Sequence, residues 1–292
     1  MKKVLFKGCS TALITPFTND GVDFEELRKL IEFQILEGID SLIICGTTGE
    51  SSTMSLEEKK SVIEFSIKIA NGRVPIIAGT GGNNTKEVIS LSKYAESVGA
   101  DGLLLVTPYY NKTTQNGLIA HFTEIAKSVS LPIILYNVPS RTGLNIEPET
   151  CLELSKIPNI VGIKEASGNI SQVAKIANLC QDNLAIYSGN DDQIVPILSL
   201  GGLGVISVLS NIYPKYVHDL VMDYLTGNWQ KATASQVYAI PLINALFSEV
   251  NPIPIKYAVN KIGFKAGLPR LPLVELSDKN KEKIDLIMKN WI

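Results

Sequence analysis

Ile160-Val161-Gly162-Ile163-Lys164 is a short, largely β-branched run that ends on a lysine. Such a run predicts a buried parallel strand with the amine at its far end, where solvent and substrate reach the sheet. A lysine there either snorkels to water or acts as a nucleophile, and in the second role it must be neutral to attack a carbonyl. A dry, apolar surrounding favours the neutral form. The iminium that results is an electron sink for a carbanion beside it, and that chemistry needs a proton carrier. A phenol hydrogen-bonded to a hydroxyl is a suitable one.

Two other strand ends offer such groups. Ser41-Leu42-Ile43-Ile44-Cys45 runs into Gly46-Thr47-Thr48-Gly49-Glu50, and Pro132-Ile133-Ile134-Leu135 runs into Tyr136-Asn137-Val138-Pro139-Ser140-Arg141-Thr142-Gly143. Alternation puts Lys164 on the side of Gly162 and Ile160. If that side faces inward, Gly162 leaves room beneath the amine for a substrate, and the Tyr136 phenol hangs nearby. Tyr136, Thr47 and a second tyrosine then form a candidate relay. Each group also has a plain structural role: the threonines as turn residues, Tyr136 in packing, Arg141 in a surface pair, Tyr109-Tyr110 as cover for a rim. Those roles leave unexplained why the groups stand together at successive strand ends.

The elements that must position them alternate. Candidate strands end near Ala12, Cys45, Ala78, Val106, Tyr136, Lys164, Ser188 and Val208. Helix signals lie between: Asp23 and Ser55 each stand three before a Glu, Gly38 and Gly72 stand where helices should stop, and Thr85 and Asn169 are expected caps. Eight such units predict an α/β fold, a (β/α)8 TIM barrel, over residues 1–224. A doubly wound sheet would need a G-x-G-x-x-G turn, and Gly79-Thr80-Gly81-Gly82 lacks that spacing. From about Tyr213 the chain reads as helices only, with pieces at 230–248, 255–262 and 277–292. Residues 225–292 are expected as a helical appendage with Asn251-Pro252-Ile253-Pro254 as its hinge. Ile284, Ile287 and Trp291 share one face of the last piece.

Composition narrows the classes. The 292 residues are 45% apolar with a net charge of −2, and no basic face or arm argues for nucleic acid or an anionic membrane. Lys7 interrupts the first apolar residues, so no signal peptide is expected, and no run is long enough to span a bilayer. Cys9, Cys45, Cys151 and Cys180 are far apart, which fits a reduced, cytoplasmic chain. His121 and His218 lack ligand spacing, so no metal is expected.

The three strand-end motifs, with Lys164 continuing into Glu165-Ala166-Ser167-Gly168, resemble the pyruvate-dependent class I aldolase superfamily. Within it they look like the dihydrodipicolinate synthase family, and the similarity spans essentially the whole chain, including Asn251-Pro252-Ile253-Pro254-Ile255-Lys256. The resemblance implies a lyase that condenses pyruvate with L-aspartate 4-semialdehyde in lysine and diaminopimelate biosynthesis, with no cofactor besides the lysine imine. It implies Lys164 as the Schiff-base residue, Tyr136 as proton shuttle, and Thr47 as the bridge to a Tyr110 lent by a neighbouring subunit. Thr48 would hold the pyruvate carboxylate and Arg141 that of the semialdehyde. Gly189 and Ile206 would offer backbone atoms near the pocket. A homo-oligomer follows, in the family usually a tetramer built as a dimer of dimers.

Lysine-sensitive members of the family bind lysine at the dimer interface through groups that correspond to Ser51, Asn83, Glu87 and Tyr109, all present here. Two positions often histidine in such enzymes are Leu56 and Lys59. Lys59 would repel a cationic ligand and Leu56 offers no polar contact, so weak or absent inhibition is expected. Among rivals, N-acetylneuraminate and keto-deoxy-sugar lyases share the Lys/Tyr pair but would not need Arg141. A phosphorylated-sugar aldolase is disfavoured because Gly201-Gly202-Leu203-Gly204 precedes its strand and no Lys or Arg lies between Ser188 and Asn211. A carbonyl-binding barrel without turnover and a metal-dependent aldolase complete the set. Asp191-Asp192 read as a helix start with a rim role left open, and Glu50 as a structural group bonded by its own loop.

Overall fold

The strand-forming runs here are buried on both faces and mostly apolar, as strands covered on both sides are. In the computed structural model, which describes residues 2–291, they are β1 Gly8–Ala12, β2 Ser41–Ile44, β3 Ile76–Gly79, β4 Gly102–Val106, β5 Ile133–Asn137, β6 Ile160–Glu165, β7 Ala185–Ser188 and β8 Gly204–Ser207. All eight are parallel and close into a barrel, with β1 pairing both β2 and β8. The expected strand ends agree with these to within a residue. Alternation divides the apolar residues into two cores. Ile43, Ile77, Leu104, Ile134, Tyr136, Tyr187 and Ile206 fill the interior, while Leu42, Ile44, Leu103, Leu105 and Leu135 pack outward against the helices. Below the interior layer, Phe6 stacks on Tyr187 at 4.4 Å and accepts the Tyr187 hydroxyl through its carbonyl at 2.8 Å.

A main helix follows each strand: α1 Phe24–Leu36, α2 Leu56–Ala70, α3 Thr85–Ser97, α4 Gln115–Ser128, α5 Pro148–Ser155, α6 Ile170–Cys180, α7 Ile194–Ser199 and α8 Pro214–Leu225, with a single helical turn, Pro139–Thr142, ahead of α5. Asp23 caps α1, Ser55 forms a capping box with Glu58 on α2, and Asn169 caps α6, as expected. Thr85 does not cap α3. Asn84 takes that place by accepting from Lys86 N, and Thr85 is the first helical residue, its hydroxyl bonded to His121 Nδ1 at 2.9 Å. Asn wins because its longer side chain turns back onto the backbone two residues on.

The remaining chain forms α9 Trp229–Leu246, α10 Ile253–Lys261 and α11 Asp278–Lys289. Ile284 is buried, and Trp291 sits against the rings of Tyr213, Tyr216 and Tyr238 at 4.8 to 5.5 Å. Arg270, between α10 and α11, reaches back to α2 with a bidentate pair to Glu58 at 2.7 and 2.9 Å. That guanidinium holds the Glu58 carboxyl down at about 2. Because the folded pKa is depressed, the pair stabilises fully above the usual carboxylate range near ~4.3, and the contribution is lost as pH falls towards about 2. Glu58→Gln should therefore flatten the loss of stability in that window, read as urea midpoints against pH. An unchanged slope would show the pair to be energetically idle.

Candidate active site

Register alone brings Lys164 between two tyrosines: Tyr136 of β5 on one side and Tyr187 of β7 on the other. Lys164 is 5% exposed, and its Nζ lies 4.3 Å from the centre of the Tyr136 ring. The ammonium form is thus partly met by an aromatic face rather than by a carboxylate. Two expectations about this strand change. Ile160 does not share the face of Lys164, because Ile160 pairs with Ile133 and Gly162 with Ile134, leaving Val161 as an extra residue. The bulge returns Ile160 to the outer core with Ile133 and Ile163. Nor does Gly162 open space for a substrate. A Cβ there would lie 3.0 Å from the Ala185 carbonyl and 3.3 Å from the Tyr187 ring, so the glycine makes room for Tyr187.

Gly189 follows β7 and donates its N–H to the Glu165 carbonyl at 2.8 Å. A Cβ at Gly189 would stand 2.6 Å from that of Ala166 and 3.2 Å from Cε of Lys164, so a larger residue would push on the lysine stem itself. Ile206 is fully buried inside the barrel on β8, in register with Ser10. Asp191 is buried and accepts from Val208 N and Leu209 N at 3.0 and 2.9 Å, fixing the turn beyond β8. Burial raises its carboxyl pKa, against which those bonds and the Lys164 charge pull.

The loop after β2 is bent at both ends by residues with left-handed backbone, Cys45 at φ 57° and Glu50 at φ 55°. Non-glycine residues adopt that region only where their surroundings insist. For Glu50 the surroundings are the C-terminal region, not its own loop as expected. Its carboxylate accepts from Lys256 Nζ at 2.7 Å and from Arg270 N at 2.9 Å. Within the loop, Glu50 N donates to the Thr47 carbonyl and Ser51 N to the Gly46 carbonyl. Cys45 is no nucleophile at neutral pH, since burial pushes its thiol up to about 12.

Thr47 and Tyr136 line one narrow cavity of about 30 Å³ with Gly46, Ser51 and Val106. Thr47, Ser51 and Val106 also line a wider one of about 220 Å³ that includes Lys59, Tyr109 and Arg141. Thr48 is buried, and its Oγ1 accepts from Asn251 Nδ2 at 3.0 Å. Tyr110 is not brought to the group within this chain. Its side chain is 95% exposed and its backbone sits at φ 67°. Ser51, Leu56, Lys59, Asn83, Glu87 and Tyr109 together line a third cavity, of about 410 Å³.

Sequence reasoning passed over two supports. Behind Lys164, the Glu165 carboxylate on the outer face accepts from Asn137 Nδ2 at 3.0 Å, Gln172 Nε2 at 3.1 Å and Ser167 N at 2.7 Å. It thereby locks β5 to β6 one residue beyond the Tyr136–Lys164 pair. Asn251, read as part of a hinge, instead bonds two of the expected binding residues. The only signal for either was a polar side chain beside a motif.

The model of the Dihydrodipicolinate synthetase family matches residues 5–291. A 4-hydroxy-tetrahydrodipicolinate synthase of Caldicellulosiruptor saccharolyticus is 60% identical over 279 residues, which is 95% of this chain and 94% of that protein. Another, of a Thermoanaerobacter species, is 57% identical over 288 residues, 98% of this chain and 97% of that one. The crystal structure of a dihydrodipicolinate synthase from Thermotoga maritima superposes with a TM-score of 0.96 at 42% identity, covering 98% of this chain and 99% of that one. With the barrel closed and the family model matching residues 5–291, the chain belongs to the dihydrodipicolinate synthetase family.

Proposed function

We propose that this chain condenses pyruvate with L-aspartate 4-semialdehyde, the reaction of a 4-hydroxy-tetrahydrodipicolinate synthase in lysine and diaminopimelate biosynthesis. The observation that supports it most is a buried lysine at a strand end, against the face of a buried tyrosine in direct register. Lys164 Nζ attacks the pyruvate ketone, and loss of one water leaves the iminium. A methyl proton then departs to give the enamine, whose carbon attacks the aldehyde. The amino group of the second substrate displaces Lys164 from the imine carbon, closing the ring and freeing the lysine. Tyr136 shuttles protons, with Thr47 linking it to a Tyr110 from a neighbouring subunit. Thr48 holds the pyruvate carboxylate, and the planar fork of Arg141 takes that of the semialdehyde. Gly189 and Ile206 supply backbone and shape. No external cofactor is needed, because the lysine imine is itself the electron sink.

Tyr110 supports a shared site. A large aromatic side chain held by left-handed backbone and almost wholly exposed suits a residue lent to a partner copy. A homotetramer arranged as a dimer of dimers, in the cytoplasm, completes the reading. No helix among the described residues is long and apolar enough to cross a membrane.

Steady-state turnover with pyruvate should appear with L-aspartate 4-semialdehyde and not with N-acetylmannosamine or other polyhydroxy aldehydes. The reverse preference would replace this reading with a sugar-acid lyase. The same assay tests regulation. Lys59 is the cationic side chain of the 410 Å³ cavity and Leu56 is apolar, so lysine should inhibit weakly or not at all. Strong inhibition below a millimolar would contradict that expectation.

A further inference from the structure

Asn251 stands two residues ahead of α10 and makes two contacts that reach different parts of the site. Its side-chain Nδ2 donates to Thr48 Oγ1 at 3.0 Å, and its main-chain carbonyl accepts from Arg141 Nη2 at 3.2 Å. Asn251 is 6% exposed and Thr48 is buried too, so water is poorly placed to replace the bond between them. Oδ1 of Asn251 is also buried and lacks a partner among the described residues. A half-satisfied buried amide is unfavourable and calls for an explanation.

The explanation lies in the direction of the Thr48 bond. A threonine hydroxyl has one proton and two acceptor lone pairs. With the Asn251 N–H on one lone pair, the proton must be given elsewhere, and Thr48 becomes a committed donor. A committed donor is what a substrate carboxylate needs. An aspartate of the same shape would reverse the bond by accepting that proton.

We infer that Asn251 is a positioning residue for both substrates: its amide sets Thr48 as a donor to the pyruvate carboxylate, and its carbonyl aims the Arg141 guanidinium at the semialdehyde carboxylate. The inference rests on the roles proposed above for Thr48 and Arg141. The helical C-terminal region thereby sets the geometry of a site built at the barrel mouth.

The test compares Asn251→Asp, Asn251→Ala and Thr48→Val, each checked for cooperative unfolding, by KM for each substrate and by the pyruvate dependence of borohydride trapping. Asn251→Asp should raise the pyruvate KM about 10- to 100-fold, the range expected when a hydrogen bond to a charged group is lost. Its semialdehyde KM should rise much less, because the carbonyl is retained. Asn251→Ala, which frees the hydroxyl to rotate, should be milder towards pyruvate than Asn251→Asp. A merely structural role predicts the opposite order, since aspartate preserves shape and alanine leaves a void. That order, or an Asn251→Asp enzyme with unaltered pyruvate KM, would overturn the inference. If Asn251→Asp does not fold, Asn251→Ala decides: a pyruvate-selective rise supports the inference, and an equal rise for both substrates overturns it. Thr48→Val separates the two levels. No effect on pyruvate would remove the proposed role of Thr48 itself, whereas a large effect beside a silent Asn251→Asp would remove only the role of Asn251.

Discussion

Lys164→Ala should reduce turnover to background, a loss of roughly 10⁴-fold or more, because every later step is built on the covalent imine. The fold should survive. Lys164 makes no ion pair among the described residues, and its neighbours Tyr136 and Tyr187 remain to fill the layer. Tyr136→Phe should behave differently. It keeps the aromatic face and the amine but deletes the proton carrier, at a cost of about 10²- to 10⁴-fold in kcat. The contrast is informative in steady-state assays: one variant lacks the nucleophile, while the other retains it and moves protons slowly. Equal, mild losses in both would mean that the chemistry runs elsewhere.

Lys256→Met should give the largest loss of stability of any single change named here. Lys256 and Glu50 are 1% and 0% exposed and 2.7 Å apart, so removing the ammonium strands a buried carboxylate. Breaking such a pair from one side costs about 3–5 kcal/mol. The pair is not isolated. Lys256 Nζ lies 4.3 Å from the centre of the Phe17 ring, and the Arg270 guanidinium 4.0 Å from the same centre. Burial draws the Lys256 pKa down while Glu50 pushes it back up. Urea unfolding should show the deficit. Because Glu50 anchors the Thr47-Thr48 loop, the pyruvate KM should rise as well. Glu50→Gln combined with Lys256→Met should recover much of the stability, since neither charge is then left alone. A double variant no better than Lys256→Met would show that shape, not charge, is what the pair supplies.

Legibility in the sequence followed the range of the force that shapes each feature. The barrel could be read because its strands and helices leave local periodicity, as do the caps Asp23, Ser55 and Asn169. Thr85 was misread by one position, because two adjacent cap-type residues compete and only geometry ranks them. The bulge at Val161 left no mark, and so Ile160 was put on the wrong face. Gly162 could be seen as room but not as room for whom, because the answer, Tyr187, lies on the next strand. The strand-end groups were visible as motifs. Contacts across long separations, Lys256 with Glu50 and Asn251 with Thr48, were not, since nothing local distinguishes a polar residue that meets a partner some 200 positions away. The hinge reading of Asn251-Pro252-Ile253-Pro254 left these contacts out for that reason: the prolines start α10, and the asparagine bonds Thr48 and Arg141.

The most direct test of the central claim is intact mass after incubation with pyruvate and borohydride, for the parent and for Lys164→Ala. An imine on Lys164 predicts one reduced pyruvyl adduct per chain on the parent and none on the variant. A folded parent without an adduct, or an adduct that persists when Lys164 is gone, would contradict it.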